Sequence, residues 1–195
     1  SRNVSYSDSD IYFAAFRIPD TLFNLLILGA ISSAFIPIFS DFIASKKIER
    51  GIKLTNSLIN TAILMMAGMA VVFYFLMPDA MKLVVPNFDQ NRLNEAVQLS
   101  RIMMLSPLFF SVSYLIGGVL NSYKRFLAFA ISPLFYNFSI IIGALLAPRF
   151  GLKGIAMAVV IGSFLHVLVQ LPALAGTGFK YKMVLDYRDA AYRRV

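Results

Sequence analysis

Four stretches of this chain, Leu58–Met77, Ile102–Leu120, Leu127–Ala147 and Ile155–Ala175, contain no Lys, Arg, Asp or Glu. A helix needs about 20 residues to cross a hydrocarbon core of about 30 Å. Each stretch meets that length, and His166 is the sole ionisable residue within them. In lipid such segments are expected to be helical, because a helix pairs every backbone N–H and C=O within itself. Charge content agrees: only 14% of the 195 residues are charged, against about 25% in soluble domains. A water-soluble fold of this size would lack the charge to cover its surface. The expected fold class is all-α, a polytopic membrane helix bundle.

A fifth segment, Ile11–Ile43, is less uniform and carries Arg17, Asp20, Asn24 and Asp41 together with Pro19 and Pro37. Proline removes a backbone bond and kinks a helix, so this segment reads as a kinked span facing protein or a cavity. An interfacial helix followed by a short span is the plainer alternative. Between the second and third spans, Pro78–Ser100 is too polar to cross. There Asp89 followed by Leu93, Ala96, Val97 and Leu99 reads as a capped helix start that extends the third span outward. The short Pro148–Lys153 turn makes the last two spans a tight hairpin, and small residues such as Gly143, Gly154, Ala158 and Gly162 suit close helix packing in lipid.

Net charge is +8, which in a soluble protein would suggest nucleic acid. Here the cations sit in short clusters between apolar segments, the pattern of the positive-inside rule, so no nucleic-acid partner is expected. Ser45–Lys53, Ser122–Arg125 and the tail after Gly176 carry most of them and fall on one side of a five-span bundle. Lys82, Arg92, Arg149 and Lys153 on the other side are diluted by Asp79, Asp89 and Glu95. The richer side is expected to be cytoplasmic, with the N-terminus outside and the C-terminus inside. An outside N-terminus with no signal peptide and no initiator Met is the pattern expected of a fragment preceded by one more helix.

No enzyme motif is present. One histidine and no cysteine offer no metal set and no base for a nucleophile, and no cofactor is expected. Intramembrane polar groups are the default functional candidates. Asp10, Arg17 and Asn24 are spaced seven apart, so they drift only about 20° per step around a helix. That stripe can line a hydrated cavity, with Arg17 facing an anionic headgroup. The plainer readings are that Asp10 caps the helix start and that Arg17 pairs with Asp20. His166, with Gln170 one turn later, reads as a satisfied interior histidine. Asn137 reads as a structural residue bonding a neighbouring helix or a carbonyl freed by Pro133.

Several segments resemble the MurJ (MviN)-type lipid II flippases. Asp10-Ile-Tyr-Phe-Ala-Ala-Phe-Arg-Ile-Pro19 is similar to their D-x-F-x-x-A-F-[RK]-[IL]-P. Gly29-Ala-Ile-Ser-Ser-Ala-Phe-Ile-Pro37 is similar to G-A-x-S-x-A-F-x-P, and Gly118-Val-Leu-Asn-Ser-Tyr-Lys-Arg-Phe126 to G-x-L-N-x-x-x-R-F. Pro133-Leu-Phe-Tyr-Asn137, Gln170-Leu-Pro172 and Asp186-Tyr-Arg-Asp-Ala190 follow in the same order. The resemblance implies that the spans match family helices two to six, most of a six-helix N-terminal lobe. It implies that residues 176–195 form a cytoplasmic tail leading to a seventh helix. The implied function is flipping of lipid II across the bacterial inner membrane by alternating access. Arg17 would attract the pyrophosphate, Asp10 would orient a neighbouring arginine or serve gating, and cell-wall synthesis machinery would be a partner. Phe23 and Asn24 stand where many members carry arginine, and Leu28 replaces a common acid.

Three readings stay open from the sequence: a flippase for lipid II or a similar undecaprenyl-pyrophosphate-linked sugar, a drug/cation antiporter of the same superfamily, and a non-transporting membrane scaffold. The charge asymmetry yields a direct test of topology. Single cysteines at Ser45 and Asn87 are expected to label from opposite sides of the membrane. Labelling from one side would refute the assignment.

Overall fold

The computed structural model describes residues 6–25 and 34–195, and its regular elements among them are all helical. The order is α1 (Tyr6–Phe23), α2 (Ile36–Ala44), α3 (Ile48–Val84), α4 (Gln90–Met103), α5 (Ser106–Ser122), α6 (Phe126–Leu145) and α7 (Ala147–Leu168). Short 3-10 turns follow at Leu171–Leu174 and Tyr192–Arg194. Four units are long and apolar enough to cross a membrane: Ile48–Val84, Gln90–Ser122, Phe126–Leu145 and Ala147–Leu174. Each covers one of the four charge-free stretches to within two residues of its end. The expected fifth span, 11–43, has α1 and α2 as its described parts. Its middle, with Leu28, lies outside the described residues.

The second span continues beyond the Met77 expected from the sequence, into the polar Pro78–Ser100 segment. α3 runs for 37 residues, straight through Pro78, a length of about 55 Å at 1.5 Å per residue. Pro78 has no N–H, so the carbonyl of Tyr74 loses the donor that would come from one turn ahead. Arg101 supplies the replacement: its Nε donates to the Tyr74 carbonyl at 2.8 Å, and its guanidinium lies 4.5 Å from the centre of the Tyr74 ring. α4 opens as expected on Asp89, whose side chain accepts from the amides of Asn91 and Arg92. Only Met104 and Leu105 separate α4 from α5.

Two of the basic linkers end their helices in the same way. After α2, Lys46 adopts φ 58°, and after α5, Lys124 adopts φ 59°. In both, the amide one residue further reaches back across the turn, Lys47 to the Phe42 carbonyl and Arg125 to the Leu120 carbonyl, each at 2.8 Å. This is a Schellman-type stop. The α6–α7 hairpin turns at Gly151, whose φ of 64° lies in the left-handed region. The two helices then close so tightly that a Cβ on Gly143 would stand 2.4 Å from that of Ala158.

Burial divides the bundle into two stacked cores. One joins α1, the far end of α3, α4 and the start of α7, through Ile11, Ala15, Met81, Leu99, Met103 and Val159. The other joins α2, the near half of α3, α5 and the tail, through Phe35, Phe39, Leu54, Ile59, Val119 and Leu174. At this second end the three basic segments come together. Arg125 bonds the carbonyls of Ala173 and Ala175, Tyr123 bonds that of Thr177, and Arg50 pairs with Asp189. The tail differs from the expected helix start. Asp186–Ala190 forms turns, and residues 178–189 lie back along α3 because its buried Asn56 and Asn60 capture the tail's backbone.

The Arg101 contact gives a prediction. Arg101→Leu should destabilise the protein by about 1–3 kcal/mol, the range for losing a charge-assisted bond to a carbonyl that has no water to replace the donor in lipid. Pro78→Ala restores the missing N–H. In that background the cost of Arg101→Leu should fall to near zero, as measured by thermal unfolding of the four proteins of the double-mutant cycle. Equal costs in both backgrounds would show that Arg101 acts otherwise.

Candidate functional site

α1 is amphipathic in an unusual sense. Ile11, Ala14, Ala15 and Ile18 are buried, and they seat it against α4 with Leu93, Ala96 and Met103 in one core. Asp10, Phe13, Arg17, Asp20, Thr21 and Asn24 are all exposed. The spacing that predicts one face for Asp10, Arg17 and Asn24 is therefore realised as one uncovered stripe. α1 runs alongside the third span. Asp10 meets Arg92 of α4 near one end, and Phe23 meets Phe110 and Tyr114 of α5 at the other. Arg17 and Asn24 follow Asp10 at steps of roughly 10 Å along the axis.

Asp10 is not a cap, since α1 begins upstream of it at Tyr6. Its Oδ2 lies 3.3 Å from an amino nitrogen of Arg92, and that guanidinium sits 4.2 Å from the centre of the Phe88 ring. The local pairing of Arg17 with Asp20 does not form. Among the described residues no hydrogen bond or ion pair engages Arg17. Its charge is left facing outward from the helix.

Below Arg17 on this face, a cleft of about 290 Å³ opens between α1, α5 and α6. Asp20 lines it from α1, Asn24 from just past the end of α1, Tyr114 from α5 and Tyr136 from α6, with Phe16, Phe23 and Phe110 as apolar walls. One carboxylate, one carboxamide and two phenols in an aromatic frame suit a hydroxyl- and amide-bearing group. The neighbouring guanidinium suits an anion. The sequence reading treated Asp20 only as a counter-ion for Arg17. Its position one turn before Asn24 was the available signal for a shared cleft.

The remaining polar candidates have a different surrounding. His166 and Gln170 are 3% and 0% exposed. Ser113 Oγ of α5 lies 2.6 Å from His166 Nδ1, and Gln170 Nε2 donates to Ser113 Oγ at 2.5 Å and to the His166 carbonyl at 3.0 Å. Phe110, Tyr114 and Phe129 wall the imidazole, with Tyr114 stacked 6.0 Å away. This knot clamps α5 to α7, and two of its rings, Phe110 and Tyr114, line the α1 cleft. Ser113 was not identified from sequence, since a lone serine in a span carries no signal. Asn137 does not bond a neighbouring helix: it is exposed, and no hydrogen bond engages it among the described residues. The contact to α7 comes two residues later, where Ser139 donates to the Ala158 carbonyl at 2.7 Å. At 100° per residue, positions two apart face nearly opposite sides.

With this geometry in hand, the comparisons with known proteins are consistent from end to end. The family profile described as lipid II flippase MurJ matches residues 5–195. A lipid II flippase MurJ from Burkholderia cenocepacia is 34% identical over 179 residues, covering 85% of this chain and 33% of the relative. A solved structure of a lipid II flippase MurJ in an inward closed conformation superposes with a TM-score of 0.76 at 26% identity, over 92% of this chain and 38% of that one. The chain thus spans about a third of the length of the curated relatives it matches. It belongs to the lipid II flippase MurJ family.

Proposed function

We propose that this chain forms most of the N-terminal lobe of a flippase that carries lipid II across the bacterial inner membrane by alternating access. The observation that carries the reading is the stripe on α1. Five polar side chains stand uncovered on a helix whose other face is packed into a membrane bundle. A charged side chain near mid-bilayer costs about 2.5–3.5 kcal/mol on insertion scales. Arg17 is retained without a counter-ion among the described residues, which supports a water-filled path that a charged headgroup enters.

The chemistry divides along that path. Arg17 attracts the pyrophosphate through charge-assisted, bidentate bonds. Asp20, Asn24, Tyr114 and Tyr136 receive the hydroxyls and amides of the sugar and peptide in the cleft beside it. Asp10 holds Arg92 at the far end of α1 and so ties α1 to α4, a contact suited to gating between the two sides. The lipid tail stays in the bilayer throughout. No chemical bond is made or broken, and the reading is non-enzymatic. The basic end of the bundle is cytoplasmic in this scheme, and cell-wall synthesis machinery is the expected partner. Phe23 and Asn24 in place of arginine favour a related lipid-linked oligosaccharide as the second reading.

The test is substitution in the full-length protein. Arg17→Gln should lower transport by roughly 10–100-fold, the effect of losing about 1.5–3 kcal/mol of charge-assisted bonding, while protein level stays normal. Arg17→Lys, which keeps the charge without the fork, should retain partial activity. Growth of flippase-depleted cells and a parallel immunoblot measure both. Normal growth with Arg17→Gln would leave Arg17 as an interface anchor.

A further inference from the structure

Residues 178–189 form a strap across the basic end of α3, well away from the α1 cleft. Two ion pairs tie it down, Lys53 Nζ to Asp186 Oδ2 at 2.6 Å and Arg50 Nε to Asp189 Oδ2 at 3.1 Å. Three carboxamide bonds hold its backbone: Asn56 Nδ2 donates to the Lys180 carbonyl at 2.9 Å, and Asn60 Nδ2 donates to those of Lys182 and Val184 at 3.0 and 2.9 Å. The hydrogen bonds from Lys53 and Arg50 hold the Asp186 and Asp189 carboxyls below their usual pKa, so both ties are fully charged at neutral pH.

Strap and helix do not close completely. A cavity of about 760 Å³ remains between them, lined by Arg50, Lys53, Lys180, Lys182, Asn56 and Asp189 among others. Its lining carries four cations against two acids, Glu49 and Asp189. The ammonium groups of Lys180 and Lys182 make no hydrogen bond or ion pair among the described residues. Asn56 is 1% exposed, and its Oδ1 is a buried acceptor with no partner. A buried acceptor left unpaired is unfavourable by about 1–3 kcal/mol. The site therefore offers surplus positive charge for an anion and, beside it, one acceptor for a hydroxyl or N–H.

We infer that this cavity binds a phosphate ester that carries a neighbouring hydroxyl, with the phosphate among Arg50, Lys53, Lys180 and Lys182 and the hydroxyl donating to Asn56 Oδ1. Two sources share this chemistry: the glycerol headgroup of an anionic phospholipid and a soluble polyol phosphate. The phosphate competes with Asp189 for Arg50 and with Asp186 for Lys53, so occupancy loosens the ionic ties of the strap. The outer face of the strap places a lipid headgroup within reach. Met183, Leu185 and Tyr187 alternate along it, exposed, an apolar edge of the kind that rests at a water–lipid boundary, while Tyr181 turns its hydroxyl inward to Asn60 Oδ1 at 2.7 Å.

Binding is measured on the full-length protein in phosphatidylcholine nanodiscs by the shift of the thermal midpoint with glycerol 1-phosphate, with inorganic phosphate, and with phosphatidylglycerol added to the nanodisc. The expected result is stabilisation by glycerol 1-phosphate beyond that of inorganic phosphate if the source is soluble. If the source is the membrane, phosphatidylglycerol stabilises instead. In either case the double variant Lys180→Gln/Lys182→Gln should weaken binding by about tenfold or more, with the unliganded midpoint unchanged. No shift with any of these probes would overturn the assignment, as would an equal shift in the double variant, or equal stabilisation by inorganic phosphate and glycerol 1-phosphate with none from phosphatidylglycerol. Because the readout is binding, the outcome is independent of whether the α1 stripe carries lipid II.

Discussion

A peptide group or polar side chain inside a lipid-spanning bundle has no water to fall back on, and leaving it unpaired costs several kcal/mol. Most of this fold answers that constraint locally. Hydroxyls in the spans fold back onto carbonyls of their own helix, as Thr55 does on Gly51, Ser122 on Gly118 and Ser132 on Ala128. Where one helix cannot meet the demand, another does. Arg101 serves the carbonyl that Pro78 leaves without a donor. The Ser113, His166 and Gln170 side chains bond one another between α5 and α7, with Gln170 Oε1 left over. Asn56 and Asn60, an i,i+4 pair buried in α3, are served by the strap. These contacts explain why a bundle of apolar helices, without a hydrophobic drive between them in lipid, takes one arrangement.

Against that background two exceptions are the candidates for function. The α1 stripe leaves Arg17, Asp20 and Asn24 uncovered, and Asn56 Oδ1 is left unpaired beside a cluster of cations. Each is a place where the bundle keeps a polar group waiting for something outside it. The two lie on different elements. The α1 stripe adjoins the core shared by α1, α4 and α7, whereas the strap cavity lies at the end where the tail joins α3. The proposed transport path and the proposed anion site are therefore separable by mutation.

The spans were legible in the sequence because freedom from charge over a bilayer's thickness has few alternative explanations. The Asp89 cap was legible because an acid before an amphipathic run has a local mechanism. The end of α3 was less so: the segment from Pro78 reads as a polar linker, whereas the helix continues through Pro78 to Val84 with the distant Arg101 serving the Tyr74 carbonyl. Face assignment on α1 followed from the seven-residue spacing, but the partners of those residues did not, since Arg92 lies on another span. Asn137 was misread because sequence alone cannot say which side of α6 meets α7; the answer lies with Ser139. The strap was not foreseen either, although Asn56 and Asn60 one turn apart at the head of an apolar helix were its signal.

The central claim is that the exposed face of α1 lines a water-filled path entered by the lipid II headgroup. Reactivity of single cysteines tests it directly, since the sequence has no native cysteine. Thr21 lies on the α1 stripe and Leu134 on the uncovered face of α6. In the full-length protein, a cysteine at Thr21 should react with a membrane-impermeant maleimide and be protected by lipid II. A cysteine at Leu134 should stay unreactive in both conditions. A silent Thr21 site, or one that lipid II leaves unprotected, would contradict the account.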